Sequence, residues 1–235
     1  MLQALGVALR TEDRPVRPGG AGLVDLVSAD ISGLDPRLDG VSFVLAADVD
    51  NPLLGDRGAA AVFAPQKGAS ADDVAVLEAG LSRLAELIDT LPGVRPSVTA
   101  PGAGAAGGVG YAALAVLGAV REAGIDVILR LISLDERIAD ADLVITGEGS
   151  LDDQSLGGKT PLGVSAAAAR ADRPVVAVCG RTTLDAAQAA SAGFAKVYAL
   201  SDIEPEPAKS MANAVPLLRE VGRTIATELG ALTAR

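Results

Sequence analysis

The sequence has 235 residues, a formal net charge of −10, one cysteine and no histidine. The missing histidine excludes Ser-His-Asp triads, imidazole acid–base catalysis and histidine-bound zinc, and a lone cysteine excludes an intramolecular disulfide. The acidic balance argues against a nucleic-acid-binding face. Because histidine is absent, any chemistry must rest on carboxylates, lysine, arginine, hydroxyls, backbone amides and a hard cation such as Mg²⁺.

The first half of the chain contains one clear strand and one clear helix. Residues 41–47 are an apolar run that predicts a buried strand ending in Asp48, followed by a loop with many prolines and glycines. A helix is predicted from an N-cap at Ser70 to the Pro92–Gly93 pair. Its apolar residues repeat every three or four positions, which we assign to core packing: Val74, Leu77, Leu81, Leu84, Leu87, Ile88 and Leu91.

A glycine-rich segment, residues 101–111, leads into a helix that we predict to end near Gly124. Glycines at a helix start leave backbone N–H groups open to an anion. They also allow a helix to pack closely against a neighbour, and the sequence leaves both interpretations open. On the first interpretation Gly104, Gly107 and Gly108 bind phosphate or nucleotide.

From Asp142 onward, short apolar strands alternate with helices. The strands are predicted at residues 142–146, 174–179 and 196–200. The helices are predicted at residues 160–171, 184–192 and 207–229, the last kinked or divided by Pro216. This alternation indicates an α/β fold with a parallel sheet covered on both faces, which binds ligands at the carboxyl ends of its strands. Cys179 lies in a predicted strand and is interpreted as a small core residue.

The predicted loop after Thr146 is the strongest local sign of chemistry. Within it glycines alternate with polar side chains: Glu148, Asp152, Asp153, Gln154, Ser155, Lys159 and Thr160. Carboxylates would hold a cation, while lysine and backbone amides would neutralise a phosphoryl group. The alternative is an exposed polar loop. The position after a strand, and a second polar segment at residues 48–66 that also follows a strand, favour a phosphate and Mg²⁺ site.

Two common nucleotide motifs are absent. The GGKT run at residues 157–160 is not a P-loop, because Asp153 stands where that motif needs glycine and Pro161 follows directly. Residues 102–107 match the G-x-G-x-x-G spacing, but no strand precedes them.

Three longer segments together resemble the glycerate kinase family of the two-domain, non-P-loop type. They are AADVDNPLLGDRGAAAVFAPQKGAS, PGAGAAGGVGY and ADLVITGEGSLDDQSLGGKTPLGV, in the family's order. Small departures are Ala47, where the family usually has cysteine, and Asp153, where glycine is common.

The resemblance implies ATP-dependent phosphorylation of D-glycerate with Mg²⁺, with 2-phosphoglycerate as the expected product. It also implies a Rossmann-like α/β domain with a second α/β domain inserted into it. Residues 1–125 would form the inserted, substrate-side domain and residues 126–235 the C-terminal half of the Rossmann-like domain, with the active site in the cleft between them. We expect a cytoplasmic monomer or homodimer that binds neither nucleic acid nor membrane.

Roles for individual residues follow from the matching motifs as hypotheses. Glu148 and Asp152 would hold Mg²⁺ or receive the hydroxyl proton, and Lys159 would contact phosphate. Asp48 and Asn51 would hold the glycerate hydroxyls. Further substrate contacts are assigned to Gln154 and Ser155. Phosphate or nucleotide contacts are assigned to glycines: Gly104, Gly107, Gly108, Gly147, Gly149 and Gly158.

The start of the chain departs from the family pattern. Family members open with a strand and a "PDSFKGS"-like loop and later have a "GGSATNDGG"-like loop, whereas this chain begins at MLQALGVAL. We therefore expect an N-terminally truncated member whose Rossmann-like sheet is incomplete. The alternatives are a catalytically inactive remnant that binds a small anion or nucleotide, and an incorrectly assigned start codon.

Overall fold

The computed structural model describes residues 1–13, 15–152 and 160–234. It contains two compact units, Met1–Gly124 and Ile125–Arg235, each of mixed α and β structure with a hydrophobic core of its own. The assignment of residues 1–125 to an inserted, substrate-side domain stays a prediction. No helix in the described residues is both long and apolar enough to cross a membrane.

The first unit contains two short strand pairs. Strand β1 (Ala8–Arg10) runs antiparallel to β2 (Ser28–Asp30), and β3 (Val44–Ala46) runs parallel to β4 (Val120–Glu122). Its helices are α1 (Ala59–Phe63), α2 (Ala71–Ile88) and α3 (Val109–Ala115). Strands β1, β2 and β4 were not predicted, because three residues are too few to show the alternation of a strand.

Helix α2 confirms the predicted N-cap and core-facing stripe. The Ser70 hydroxyl accepts the Asp73 N–H at 3.2 Å, and the Asp73 carboxylate accepts the Ser70 N–H at 2.9 Å, which forms a capping box. Leu81, Leu84 and Ile88 are buried in the core of the first unit. The helix therefore begins and packs as its local sequence specifies.

Removing the cap should weaken this helix measurably. We expect Ser70→Ala to lower the free energy of unfolding by about 1 kcal/mol, since the Asp73 N–H loses the hydroxyl that accepts its hydrogen bond. Urea unfolding followed by circular dichroism measures the change. Ser82→Ala is the matched control, because the Ser82 hydroxyl only donates to the exposed Glu86 at 3.3 Å. Equal stability of the two variants would contradict the prediction.

Two expectations for the first unit are wrong. The helix predicted to reach Gly124 ends at Ala115, and β4 follows it. The backbone turns at Gly118 (φ +63°), and the Val120 N–H then bonds the carbonyl of Phe43 at 3.0 Å beside β3. Strand β3 is also shorter than predicted and not buried, since Val44 is 46% exposed in this two-stranded pair.

The second unit is built on a three-stranded parallel sheet in the order β5-β6-β7. The strands are β5 (Val144–Leu151), β6 (Val175–Thr182) and β7 (Lys196–Ala199). Its helices are α4 (Gly124–Leu131), α5 (Leu134–Ala139), α6 (Thr160–Arg170), α7 (Ala186–Ser191), α8 (Pro207–Ala212) and α9 (Ala214–Leu232). The predicted parallel α/β arrangement is confirmed.

The details of this sheet differ from the sequence prediction. Strand β5 ends at Leu151 rather than at Thr146, because its glycine-containing half pairs in register with β6. The sheet was predicted to be covered on both faces. This is true at Val176, which is fully buried, but not at Ile145, which is 56% exposed. Helices α8 and α9 separate at Asn213, and Pro216 lies in the first turn of α9, where its missing N–H breaks no helical bond. Helices α4 and α5 were not predicted.

A charged cluster joins β7 to α9 in the second unit. Lys196 Nζ donates to Glu228 Oε2 at 2.7 Å, and the Tyr198 hydroxyl donates to the same oxygen at 2.6 Å. The hydrogen bonds from Lys196 and then from Tyr198 lower the pKa of Glu228, while burial and the contact with Glu228 raise the pKa of Tyr198 to about 12.

The lowered pKa of Glu228 predicts an acid-sensitive contribution to stability. That contribution is complete above the ordinary glutamate pKa of 4.5 and is lost as the pH falls through the lower folded-state pKa. We expect Glu228→Gln to flatten the pH dependence of the melting temperature below about pH 4.5. Glu220→Gln, on the same helix, should keep the wild-type slope. Parallel pH profiles for Glu228→Gln and wild type would refute this assignment.

Candidate functional site

Polar groups of the first unit gather at the carboxyl ends of β3 and β4. Asp48 lies two residues after the end of β3, and its Oδ1 accepts the N–H of Gly124, which lies two residues after β4, at 2.7 Å. A Cβ atom at position 124 would lie 3.0 Å from Asp48 Oδ2, so glycine lets the backbone approach this carboxylate. The structure thus fixes Asp48 at the edge of a parallel pair, where the sequence predicted a ligand-binding group.

Asn51 is held within the loop that follows Asp48. Its Nδ2 donates to the carbonyl of Arg57 at 2.8 Å, and its backbone carbonyl accepts the N–H of Gly104 at 2.9 Å. The structure therefore brings the Asn51 loop and the glycine-rich segment together. The Asn51 side chain is therefore oriented by its own loop through its Nδ2 atom.

Two glycines of the glycine-rich segment, Gly104 and Gly108, pack closely against neighbouring atoms. A Cβ atom at Gly104 would overlap the carbonyl oxygen of Pro52, and one at Gly108 would lie 3.0 Å from Leu53 Cδ1. Gly107 has φ +69° and open space around it. Close packing therefore explains Gly104 and Gly108, whereas phosphate or nucleotide binding by Gly104, Gly107 and Gly108 stays a prediction.

Arg121 belongs to the same edge and was missed in the sequence. Its Nη2 pairs with Asp50 Oδ1 at 2.7 Å, and its Nε is buried without a hydrogen-bond partner in the described part of the chain. The residue was assigned to the end of a helix, so its place on β4 beside Asp48 was not visible. We call Asp48, Asp50, Asn51, Arg121 and Gly124 the Asp48 cluster.

Glu148 lies within β5 of the second unit and not in the predicted loop. It pairs in register with Cys179 on β6, and its Oε1 is buried without a hydrogen-bond partner among the described residues. Burial first, then the negative charges of Asp202 and Glu148, raise the pKa of the Cys179 thiol to about 11. Cys179 is therefore a protonated core residue, as predicted, and Glu148 is the group left with bonding capacity.

Asp152 directly follows β5 and is linked to β6 through Ser150. The Ser150 hydroxyl donates to Asp152 Oδ2 at 3.2 Å and accepts from Arg181 Nε at 3.1 Å. Arg181 was missed because β6 was predicted to stop at Cys179. It adds a cation beside the predicted carboxylates, of the kind that binds phosphate. We call Glu148, Ser150, Asp152 and Arg181 the Glu148 cluster.

The two glycines of this strand differ in their surroundings. A Cβ atom at Gly147 would overlap the carbonyl oxygen of Val178, whereas one at Gly149 would meet nothing within 4 Å. A side chain at Gly147 would thus clash with the neighbouring strand, although both glycines are exposed to solvent. Phosphate or nucleotide binding by Gly147 and Gly149 stays a prediction. The other site predictions in this segment lie outside the described residues: Asp153, Gln154, Ser155, Gly158 and Lys159.

The carboxylates of the two clusters are the side chains that could bind a metal ion such as Mg²⁺. Within residues 1–13, 15–152 and 160–234, no three acidic, histidine or cysteine side chains come close enough to hold one. Mg²⁺ often keeps several waters and binds one or two carboxylates together with substrate phosphates. The oxygen of Glu148 that has no hydrogen-bond partner in the described residues could be one of these carboxylate ligands. A Mg²⁺ site formed with Glu148 and Asp152 stays a prediction.

The fold and site define an α/β protein with polar side chains at the carboxyl ends of its parallel strands, which is where proteins of this class bind their ligands. The chain belongs to the glycerate kinase family, whose family model matches residues 1–230. The resemblance seen in three sequence motifs is thereby confirmed.

Individual relatives agree with the family match. "Glycerate kinase" of Bacillus subtilis is 46% identical over 186 residues, which are 79% of this chain and 48% of that protein. "Glycerate kinase" of Haemophilus influenzae is 40% identical over 231 residues, 96% of this chain and 61% of the relative. "Glycerate 2-kinase" of Escherichia coli is 43% identical over 201 residues, 85% of this chain and 52% of the relative.

A solved structure gives the same result for the fold. The crystal structure of a candidate glycerate kinase 2 from Salmonella typhimurium LT2 superposes with a TM-score of 0.71 at 42% identity. The match covers 85% of this chain and 51% of that one. The chain thus spans about half to three fifths of the length of these proteins.

Proposed function

We propose that the protein phosphorylates D-glycerate with ATP and Mg²⁺, giving 2-phosphoglycerate. Family membership supports this, as do relatives named glycerate kinase or glycerate 2-kinase at 40–46% identity. The structural observation that carries the proposal is the buried carboxylate oxygen of Glu148, which has no partner in the described part of the chain. A cytoplasmic location and a monomeric or homodimeric state stay predictions.

The Glu148 cluster supplies groups suited to phosphoryl transfer. This reaction depends on positioning and on neutralising charge more than on covalent chemistry. Glu148 would receive the proton of the attacking hydroxyl or, with Asp152, hold Mg²⁺. Lys159 would neutralise the transferred phosphoryl group. When bound, Mg²⁺ supplies further neutralisation of the phosphate oxygens.

The Asp48 cluster supplies groups suited to a small hydroxy acid. Asp48 Oδ2, the oxygen that does not bond to the Gly124 N–H, and Asn51 Oδ1 would accept hydrogen bonds from the glycerate hydroxyls. Gln154 and Ser155 would add substrate contacts, and the backbone of Gly149 and Gly158 would lie against phosphate. Each of these roles is a proposal from the matching motifs.

The test is a steady-state assay on the purified full chain with D-glycerate, ATP and Mg²⁺. ADP release is coupled to NADH oxidation, and ³¹P NMR identifies the phosphoglycerate formed. We expect ADP that depends on D-glycerate, together with the 2-phospho product. Thermal stabilisation by glycerate or ATP without ADP would favour the non-catalytic alternative. No ADP, even with the chain fused to the remaining segment of a relative, would overturn the kinase proposal.

A further inference from the structure

Glu78 makes one notable contact outside the two clusters. It lies on α2, and its Oε1 accepts the N–H of Gly55 at 2.6 Å. Its Oε2 is buried and has no hydrogen-bond partner in the described part of the chain. Because the Gly55 N–H is the one hydrogen bond of this carboxylate among the described residues, a change at Glu78 acts on the Gly55 loop.

Gly55 is the turning point of the loop that carries Asn51. Its φ of +89° is a left-handed conformation, and its carbonyl accepts the N–H of Gly58 at 2.7 Å. The neighbouring carbonyl of Arg57 accepts the Asn51 Nδ2 at 2.8 Å. A shift of Gly55 is therefore passed through one short turn to the side chain of Asn51.

Helix α2 gives this contact a rigid base. Leu81 and Leu84 fix the helix in the core of the first unit, one turn and two turns after Glu78. A hydrogen bond from a backbone N–H to a carboxylate is also stronger than one between neutral groups. The Gly55 turn is thereby tied to a helix that is packed into the core of the unit.

From these contacts we infer that Glu78 is a positioning residue, which orients Asn51 toward the glycerate hydroxyls through Gly55. The inference rests on the proposed function, because it assigns a task to a residue of that same substrate site. Glu78 itself touches no substrate. Its loss should weaken substrate binding equally in the ground state and in the transition state.

The experiment compares Glu78→Ala and Glu78→Gln in the full chain, with Glu86→Ala as the matched control. Glu86 lies on the same helix but is exposed, and its contacts are with its helix neighbours Ser82 and Arg83. We expect Glu78→Ala to raise KM for D-glycerate about tenfold or more, with kcat and KM for ATP nearly unchanged. Glu78→Gln keeps an acceptor for the Gly55 N–H and should restore KM to within about threefold of wild type.

Two results would overturn the inference. One is a Glu78→Ala variant with a lower melting temperature but unchanged KM for glycerate, which would make Glu78 merely structural. The other is a Glu78→Gln variant as impaired as Glu78→Ala. Failure of the proposed function is distinguishable, since the wild-type chain would then release no ADP. In that case hydrogen exchange at residues 55–58 decides: faster exchange in Glu78→Ala than in Glu86→Ala supports the loop-positioning role, and equal exchange refutes it.

Discussion

Glu148→Gln is expected to lower kcat for D-glycerate phosphorylation by about 10²- to 10⁴-fold, the usual contribution of a positioned acid–base group. The amide has nearly the same shape as the carboxylate, but it neither accepts the hydroxyl proton nor binds Mg²⁺ as strongly. The fold should change little, because the amide has the shape of the carboxylate and can place its NH₂ group where Oε1 has no hydrogen-bond partner in the described residues. Loss of turnover with an unchanged or higher melting temperature is therefore the expected result.

The matched control for this variant is Glu136→Gln in the same unit. Glu136 lies in the exposed first turn of α5 and should tolerate the change with full activity. Steady-state kinetics and differential scanning fluorimetry on the three proteins give both readouts. A Glu148→Gln variant with wild-type kcat would remove Glu148 from the chemistry and leave its buried oxygen without a function.

Gly147→Ala is expected to destabilise the second unit by about 1–3 kcal/mol, the range for a methyl group forced against packed atoms, although Gly147 itself is exposed. The added methyl group would overlap the carbonyl oxygen of Val178 on the adjacent strand, and neither backbone can move without breaking the β5–β6 pairing. Urea unfolding followed by circular dichroism measures the loss.

Gly149→Ala is the companion variant, because it adds the same methyl group to the same strand in open space. We expect it to unfold at nearly the wild-type urea concentration and to raise KM for ATP, since the methyl group would stand where phosphate approaches the backbone. Equal destabilisation of the two variants would contradict the packing role of Gly147. An unchanged KM for ATP in Gly149→Ala would remove Gly149 from the nucleotide site.

Features with a local physical cause could be predicted from the sequence. Helix α2 begins at Ser70 because hydroxyl and carboxylate caps act within three residues, and its buried stripe follows from the helical repeat. The three parallel strands of the second unit are apolar runs between helices, so the sheet type followed as well. The family was predicted in a different way, from the resemblance of three motifs at residues 46–70, 101–111 and 141–164 to the glycerate kinase family.

Features that depend on a distant partner could not be predicted. Residues 147–151 look like a loop because glycine is a poor strand former, yet pairing with β6 makes them a strand. Arg121 was missed because it lies on β4, a short strand that is recognisable only by its pairing with β3. Arg181 was missed because it lies in the part of β6 beyond Cys179, which pairs with the end of β5. Glu78 was missed because its partner, Gly55, lies 23 positions away and only the tertiary fold brings the two together.

The bond between Asp48 and Gly124 also has a consequence for folding. It joins residues 76 positions apart, so its formation carries a larger loop-closure entropy than a contact within a helix. We therefore expect the Asp48 cluster to assemble after the local helices of the first unit. A molecule with native helices but an unfinished β3–β4 pair would lack this cluster altogether. If Asp48 binds glycerate as proposed, the fraction of chains that bind glycerate will measure how much of a preparation has reached the native state.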